Sequence, residues 1–376
     1  MSAPPKDNLT LLSHVTQQGM LELSLERLPL PALSAGDVLV RVQAAPINPS
    51  DLGLLVGGAD LATLRASVRD GLPLISADLS PAAMRAMTAR IGEKMPVGNE
   101  GCGLVVEAGA SPEARALLGR TVALFGGAMY AQYRAAPAAM CMPLPEGTAP
   151  ADGASCFVNP LTALAFAEVM RREGHTAIVH AAAASNLGQM LVRICAQDGI
   201  PLVNIVRNDA QASLLRGIGA RHVLNSSSAT FFDDLVRAII ETGATLAFDP
   251  IGGGKLVGQI FTAMEAAAVK RMPSYSRYGS DTFKQVYIYG GLDMSPTILS
   301  RGFGFAWSLS GFLLMPFLAK AGPDVVARMR QRVIDELTTT FKSHYSHEIS
   351  LEQALDPEIL IAYNAKRTGQ KYLIKP

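Results

Sequence analysis

The chain has 376 residues, of which 49% are hydrophobic and 17% are charged. This composition excludes wholesale disorder, and the length predicts two domains of roughly 150 residues each. With 33 basic against 32 acidic residues, the formal net charge is +1. A nucleic-acid partner is therefore not indicated, because binding a polyanion needs clustered Lys and Arg.

The four cysteines, Cys102, Cys141, Cys156 and Cys195, lie in apolar stretches and outside any C-x-x-C pair. They are typical of reduced core thiols in a cytoplasmic protein. We expect no metal site, because zinc needs closely spaced Cys or His ligands. The start, MSAPPKDNLT, lacks the basic region and apolar stretch of a signal peptide.

Residues 1–150 contain many short apolar runs broken by Gly and Pro, such as DVLVRVQ and GRTVALFGG. This pattern predicts a β-rich, barrel-like domain. Residues 59–95 differ, because they are rich in Ala and Arg at helical spacing, and we predict an insertion of about two helices there. Asp78, Ser80 and Pro81 supply a helix-start signal.

From about residue 151 the pattern changes to alternating strands and helices. TAIVHA precedes NLGQMLVRICAQDG, and PLVNIV precedes DAQASLLRGIG. This βαβ alternation predicts an α/β domain with a parallel, doubly wound sheet. The tail contains two helix-like stretches and closes with a predicted strand, QKYLIKP.

Residues 302–319 form an uncharged run that is long enough to suggest a membrane span. Glycines, serines and Pro316 interrupt the run, and the alternation in WSLSGFL is typical of a strand. We therefore expect a buried strand at the subunit interface of a homodimer, with the membrane span as the less favoured alternative.

The segment HAAAASNLGQ at 180–189 lies between a predicted strand and a predicted helix, where dinucleotide-binding proteins have a glycine-rich loop. Only Gly188 is a glycine. Backbone N–H groups and the helix dipole hold a pyrophosphate, so glycine is needed only where the chain turns tightly or packs closely. Ser185 and Asn186 can add side-chain donors. An ordinary strand–helix turn is the alternative.

Arg207 follows the next predicted strand, about twenty residues after this loop. At such a strand end an Asp or Glu binds the ribose hydroxyls of NAD, whereas an Arg accommodates the 2′-phosphate of NADP. The strand end carries Arg207-Asn208 and no acid, and Asp209 fits a helix N-cap. The pattern favours NADPH, and the alternative is a solvated surface arginine.

Seven segments in order are distinctive as a set. They are AAPINPSDLGLLVG (44–57), PVGNEGCGLVVEAG (96–109), VNPLTALAF (158–166), VHAAAASNLGQMLVRICAQDGIPLVNIVRN (179–208), FDPIGG (248–253), YIYGGL (287–292) and TGQKYLIKP (368–376). Together they resemble the medium-chain dehydrogenase/reductase superfamily, in its zinc-free NADPH:quinone oxidoreductase and enoyl reductase branches. The loop at 180–189 is most similar to the enoyl thioester reductase form.

The resemblance implies a GroES-like catalytic domain over 1–150, completed by 319–376, and a Rossmann NADPH-binding domain over 151–318. In zinc alcohol dehydrogenases a Cys and a His stand at the positions that match Asn48 and Asn99 here. Amides do not make a zinc site, so the resemblance implies hydride transfer without a metal.

The same match assigns ten residues to the cofactor. They are Asn48, Thr162, Ser185, Asn186, Leu187, Gly188, Arg207, Asn208, Tyr289 and Gly290. Asn48 and Thr162 would lie at the nicotinamide and are the catalytic candidates. Two alternatives stay open: Asn48 is also a common turn residue before proline, and Thr162 could cap a helix.

The chain departs from the enoyl thioester reductases at one functional position. Those enzymes carry a tyrosine shortly after the segment matching NPSD, and residues 52–100 contain no Tyr. Tyr275 and Tyr278, in the second insertion at 268–284, are either acid groups or surface tyrosines. The preferred interpretation is an NADPH-dependent reductase of a quinone or other conjugated carbonyl. The alternatives are a 2-enoyl thioester reductase and a low-turnover NADPH-binding regulatory protein.

Overall fold

The computed structural model describes residues 6–376. The first five residues of MSAPPKDNLT, on which the expectation of no signal peptide partly rests, lie outside the described residues. The chain forms two compact units. One runs up to Val158 and resumes at Val333, and the other comprises Asn159–Arg332.

The first unit begins with ten strands and four short helices. The strands are β1 (Asp7–Val15), β2 (Met20–Pro29), β3 (Asp37–Pro46), β4 (Ala59–Arg69), β5 (Leu72–Leu79), β6 (Lys94–Pro96), β7 (Glu100–Ala108), β8 (Thr121–Phe125), β9 (Tyr133–Pro137) and β10 (Cys141–Pro143). The helices are α1 (Leu52–Leu55), α2 (Pro81–Ala86), α3 (Pro112–Arg115) and α4 (Pro150–Gly153).

Strands and helices then alternate. The elements are α5 (Val158–Arg172), β11 (Ile178–His180), α6 (Asn186–Asp198), β12 (Leu202–Val206), α7 (Asp209–Gly217), β13 (His222–Asn225), α8 (Phe231–Thr242), β14 (Leu246–Asp249), β15 (Gly252–Gly254), α9 (Leu256–Val269), β16 (Lys284–Ile288), β17 (Asp293–Thr297), β18 (Trp307–Gly311), α10 (Leu314–Ala321) and α11 (Pro323–Asp335). The tail adds β19 (His347–Ile349), α12 (Pro357–Asn364) and β20 (Tyr372–Ile374).

The first unit is built on two sheets, with strand orders β4-β5-β2-β1-β6 and β10-β8-β7-β3-β20-β19. β9 adds to β3, and most neighbouring strands are antiparallel. Inward-facing Val38, Val40 and Val42 of β3 belong to the core of this unit. The prediction of a β-rich domain is confirmed.

The predicted helical insertion over 59–95 is wrong in its first half. β4 and β5 form an antiparallel hairpin in which Arg69 pairs with Leu72. Asp70 and Gly71 form the turn with φ of 53° and 74°, as a two-residue Asp-Gly hairpin requires. This Asp-Gly signal outweighs the helical spacing of the alanines and arginines.

In the second half of that segment, one of the two predicted helices is present as α2, and its start signal is confirmed. The Ser80 hydroxyl accepts a hydrogen bond from the N–H of Ala83, and Pro81 opens α2. Asp78 does not contribute to the start, because it lies in β5 and forms an ion pair with Arg65.

The second unit contains the predicted doubly wound sheet. Its six strands lie in the order β13-β12-β11-β14-β16-β18, and each neighbouring pair is parallel. The apolar faces of α8 and α9 and buried strand residues such as Val179 and Val203 form its core. Helices on both faces would explain why the strands are apolar almost throughout.

The run at 302–319 is not one buried strand. Only Trp307–Gly311 is extended, at the edge of the sheet beside β16, and its residues are half-buried or exposed. The run ends inside α10, because Leu314 begins a helix. Across residues 6–376, every helix is too short or too polar to cross a membrane.

Candidate functional site

The loop between β11 and α6 is the candidate pyrophosphate site. Ser185 is the N-cap of α6, and its hydroxyl accepts a hydrogen bond of 3.1 Å from the N–H of Gly188. A Cβ on Gly188 would lie 2.1 Å from the carbonyl oxygen of Ala183. A side chain at 188 would therefore push the helix from the loop. Asn186 and Leu187 occupy the first turn, and Leu187 is buried.

Ala182 makes the tight turn of this candidate loop. Its φ is 48°, in the left-handed region, which costs a non-glycine residue about 1–2 kcal/mol. The N–H of Ala183 donates to the carbonyl of Ile205 on β12 and so ties the loop to the neighbouring strand. The alanine-rich segment therefore has a left-handed turn at Ala182, a feature that the sequence analysis did not predict.

Arg207 lies directly after β12. Two hydrogen bonds fix its main chain. The N–H of Arg207 donates to the side-chain oxygen of Gln211, and the carbonyl of Arg207 accepts from the hydroxyl of Ser227. Its side chain is exposed. Among residues 6–376 its guanidinium group makes no hydrogen bond or ion pair within the protein, so its donors are available to a ligand.

The helix after Arg207 begins one residue earlier than expected. Asn208 is the N-cap of α7, and its side-chain oxygen accepts from the N–H of Gln211 at 2.9 Å. The expectation that Asp209 is the cap is wrong, because Asp209 is already the first helical residue. The side-chain oxygen of Asn208 is thus engaged in holding α7.

Tyr289 follows β16 and is paired with a buried histidine that the sequence analysis did not single out. Its hydroxyl lies 2.7 Å from Nε2 of His180, the last residue of β11. Burial lowers the pKa of His180 to about 3, so the imidazole is neutral at physiological pH. The Tyr289 ring also packs edge-on against Phe166, at 4.9 Å between centroids.

Two further predicted residues of this unit have clear local roles. Gly290 follows Tyr289, and a Cβ there would lie 2.7 Å from the carbonyl oxygen of Pro250. Thr162 is buried within α5, so the alternative that it caps a helix is wrong. The loop at 185–188, Arg207 and Tyr289 all follow carboxyl ends of parallel strands, the edge where such sheets bind ligands.

In the first unit, Asn48 lies in a buried polar cluster after β3. Its side-chain Nδ2 donates a hydrogen bond of 2.7 Å to Oε1 of Glu100. The other oxygen of Glu100 accepts from the N–H groups of Phe157 and Val158, each at 2.9 Å. Glu100 is fully buried, and this burial raises the pKa of its carboxyl group, although the three donors oppose the rise.

Asp51 joins the two turns that carry the predicted site asparagines. One of its oxygens accepts from the N–H of Asn48 and the other from the N–H of Asn99, each at 2.8 Å. Burial raises the pKa of Asp51 to about 7. Asn48 is therefore more than a turn residue before Pro49, because its main chain and its amide are both held by buried carboxyl groups.

The two asparagines that stand in the place of zinc ligands are used within the protein. Asn48 donates to Glu100, and the side chain of Asn99 donates to the hydroxyl of Ser50 at 3.0 Å. Within residues 6–376, no three His, Cys, Asp or Glu side chains are grouped as metal ligands would be.

Comparison with known proteins gives a consistent picture, although no family model matches the chain. "Probable quinone oxidoreductase" of Leishmania amazonensis is 28% identical over 223 residues, covering 58% of this chain and 63% of that protein. Prostaglandin reductase-3 of Mus musculus is 25% identical over 227 residues, covering 60% and 52%. The chain thus spans between half and two-thirds of the length of these relatives.

Solved structures match over the full chain. A Mesorhizobium loti protein provisionally named NADPH:quinone reductase has a TM-score of 0.74 and 26% identity, with 100% of both chains covered. An enoyl thioester reductase of Candida tropicalis, in a mutant form, has a TM-score of 0.66 and 16% identity, covering 98% of this chain and 100% of that one. In its ordered motifs, its two-unit fold and these comparisons, the chain is similar to zinc-free medium-chain dehydrogenases/reductases of the NADPH:quinone oxidoreductase and enoyl reductase type.

Proposed function

We propose that this protein is an NADPH-dependent oxidoreductase that transfers a hydride to a quinone or another conjugated carbonyl without a metal. The observation that carries the proposal is the pairing of the capped loop at 185–188 with the unpaired guanidinium of Arg207, at the ends of adjacent parallel strands. That pairing suits a dinucleotide with a 2′-phosphate.

The residues at this edge of the sheet fit NADPH. The N-terminus of α6 would hold the pyrophosphate, because the helix dipole and the first-turn N–H groups favour an anion. Arg207 would hold the 2′-phosphate with its planar fork of donors, with Asn208 beside it. Tyr289 and Gly290 would flank the cofactor. When bound, NADPH supplies the hydride.

We assign Asn48 and Thr162 to the nicotinamide on the strength of their matching positions. Support for Asn48 comes from its surroundings, because Glu100 and Asp51 fix its side chain and its main chain. We likewise assign the catalytic role to the β-rich unit and cofactor binding to the α/β unit. The chemistry then needs no Lewis acid, and the protein contributes orientation and hydrogen bonds.

Two observations bear on the substrate. The absence of Tyr from residues 52–100 favours a quinone, whose reduction needs little acid assistance. The buried Tyr130 does not fill the gap, since its hydroxyl donates to the carbonyl of Pro46 at 3.0 Å. The form of the loop at 180–189 favours the second candidate, a 2-enoyl thioester reductase. Relatives include the mitochondrial enoyl-[acyl-carrier-protein] reductase of Bos taurus, 27% identical over 254 residues.

We also propose a homodimer and a cytoplasmic location. The edge strand β18 is flanked by the exposed apolar side chains of Phe305 and Leu313, and pairing two such edges about a twofold axis would cover them. The four cysteines are buried and unpaired, as expected in a reducing compartment. Subcellular fractionation of the full chain, with a mitochondrial marker, tests the location.

The activity is tested by following NADPH absorbance with purified protein and a panel of quinones, enones and enoyl thioesters. Turnover of quinones or simple enones, with little of the thioesters, supports the proposal. Preference for thioesters would establish the second candidate. NADPH binding without turnover of any acceptor would instead indicate a regulatory NADPH-binding protein.

Zinc independence has its own measurement. We expect full activity after treatment with a chelator and no stoichiometric zinc by elemental analysis, because amides stand where ligands would be needed. Bound zinc together with activity lost on chelation would overturn this part of the proposal.

A further inference from the structure

We propose that the Tyr345 hydroxyl is the proton donor to the substrate oxygen, and that Ser155 and Lys371 supply its proton. This inference rests on the proposed function and deepens it, because it names the acid that the missing tyrosine after NPSD would otherwise provide. The three residues belong to one unit, and none was singled out by the sequence motifs.

The three side chains form a continuous chain of hydrogen bonds. The Ser155 hydroxyl lies 2.7 Å from the hydroxyl of Tyr345. Nζ of Lys371 donates to the same Ser155 oxygen at 2.8 Å, and it also lies 5.3 Å from the centre of the Tyr345 ring. Ser155 is buried, whereas Tyr345 and Lys371 are each partly exposed. The two ends of the chain are thus nearer the protein surface than its middle.

The charge on Lys371 sets the direction of these bonds. An ammonium group can only donate, so the Ser155 oxygen accepts from Lys371. The Ser155 proton can then point to the oxygen of Tyr345. Ser343 also lies in hydrogen-bonding contact with the Tyr345 hydroxyl. With hydroxyl groups donating to its oxygen, Tyr345 can direct its own proton to a substrate.

The chain lies beside the Asn48 cluster. β20 pairs with β3 through Leu373 and Pro46, and the N–H of Ile47 donates to the carbonyl of Tyr372. Asn48 comes directly after Ile47, and Lys371 comes directly before Tyr372. The sheet pairing thus brings the proton chain to the residue that we assign to the nicotinamide.

Two carboxyl groups interact with Lys371: that of Glu100, which begins β7, and that of Asp51, which precedes α1. The neutral hydroxyl of Tyr345 completes its polar surroundings through Ser155. Burial lowers the pKa of Lys371 to about 8, while attraction to Glu100 and Asp51 opposes the fall. Lys371 is therefore protonated at neutral pH but holds its proton less tightly than a surface lysine, which suits a donor.

A hydride adds to the β-carbon of an enone. The π pair of the carbon–carbon double bond then forms a new double bond between the α-carbon and the carbonyl carbon, and the π pair of the carbonyl moves to its oxygen. Tyr345 gives its proton to that oxygen, Ser155 gives its proton to Tyr345, and Lys371 gives one to Ser155. The neutral amine of Lys371 is then reprotonated from water. The enol leaves and becomes the ketone in solution.

The test compares an enone with a quinone as acceptors. A hydroquinone monoanion is stable enough to leave and take a proton from water, whereas an enolate is a much poorer leaving species. Tyr345→Phe should therefore lower kcat for a cyclic enone by about 100-fold, the lower end of what general acids contribute. It should lower kcat for a quinone less than threefold. Lys371→Met should show the same selectivity, and Lys371→Arg should recover part of the enone rate.

A second readout needs no turnover and no NADPH. 4-Nitrophenolate resembles a hydroquinone monoanion, and its absorbance shifts when its oxygen accepts a hydrogen bond. Titrating it into the protein without cofactor should give a dissociation constant about tenfold weaker for Tyr345→Phe than for the unaltered protein. The matched control is Lys375→Met, four residues beyond Lys371, because the amine of Lys375 pairs with Glu348 and not with Ser155.

The outcomes separate the possible roles of the cluster. If Tyr345→Phe and Lys371→Met lower kcat equally for the enone and the quinone, and nitrophenolate binding is unchanged, Lys371 only neutralises Glu100. That result would overturn the inference. Unchanged enone rates in Tyr345→Phe would overturn it as well. If the unaltered protein reduces no quinone or enone, the proposed function fails. The binding experiment still tests the donor role in that case. If Tyr345→Phe binds nitrophenolate as tightly as the unaltered protein does, Tyr345 is not the donor.

Discussion

Asn48 donates its side-chain amide to the carboxylate of Glu100 across 2.7 Å, and both residues are buried. The contact fixes which end of the Asn48 amide faces the protein, because only the NH₂ end can donate. The protein thus orients a candidate nicotinamide contact with a buried carboxyl group.

Replacing Asn48 should cost both stability and activity. Asn48→Ala removes one of three donors to a buried carboxylate, which typically costs about 1–3 kcal/mol. Asn48→Asp should be worse at pH 8 than at pH 5, because it places a second carboxylate against Glu100. Urea unfolding at both pH values measures this. Equal stability of Asn48→Asp and the unaltered protein at pH 8 would mean that Glu100 is protonated.

Arg207 should determine the choice of cofactor. Its guanidinium has no partner among residues 6–376, and NADH lacks the phosphate that it would bind. Arg207→Ala should raise the Michaelis constant for NADPH with little effect on NADH. Loss of a charge-assisted contact of about 1.5–3 kcal/mol corresponds to a roughly ten- to hundredfold loss of preference.

The control for this cofactor experiment is Arg221→Ala, at another exposed arginine of the same unit. The ratio of kcat/KM for NADPH and NADH is measured for all three proteins. If Arg207→Ala leaves this ratio unchanged, or if the unaltered protein uses NADH as well as NADPH, Arg207 is only a solvated side chain.

The edge strand β18 should carry the dimer contact. Sedimentation of the unaltered protein should show a dimer, and Ser310→Lys should shift it towards monomer, since a lysine on a strand edge blocks edge-to-edge pairing. Ser213→Lys, on the exposed face of α7, serves as the control. A concentration-independent monomer, or equal behaviour of the two variants, contradicts the dimer.

Periodicity and turn signals predicted the α/β unit well, because each strand and helix there is a separate apolar run bounded by Gly, Asn or Asp. The same signals failed at 59–79, which forms an edge hairpin. The spacing of alanines and arginines there resembles that of a helix, and only Asp70-Gly71 marks the turn. The run at 302–319 was mistaken for one element because hydrophobicity alone does not separate a short strand from a helix.

Motifs indicated the candidate pyrophosphate loop but not the buried groups around the candidate site. His180, Asp51 and Glu100 act through contacts between residues distant in sequence, such as Asn48 with Glu100 and His180 with Tyr289. No spacing rule predicts such pairs, since only the strand register brings them together. The left-handed backbone at Ala182 was missed for another reason, because alanine rarely adopts it.

Asp51 should make stability depend on pH. Burial raises its pKa to about 7 in the folded protein, against about 3.9 in an unfolded chain. Between these values the folded state binds a proton that the unfolded state has lost. Stability from this group is therefore highest below about pH 4 and falls as pH rises towards 7, by at most about 1.4 kcal/mol per pH unit. Above pH 7 its contribution is constant.

Asp51→Asn removes this titration while keeping one acceptor for the N–H groups of Asn48 and Asn99. Urea unfolding of both proteins from pH 4.5 to 8 gives the difference in the free energy of unfolding. The unaltered protein should lose stability relative to Asp51→Asn as pH rises through this window, since only its carboxyl group must ionise in a buried place. Asp7→Asn, at an exposed carboxyl group, should show no such slope. A flat difference for Asp51→Asn would mean that Asp51 is already ionised, with its two N–H bonds outweighing its burial.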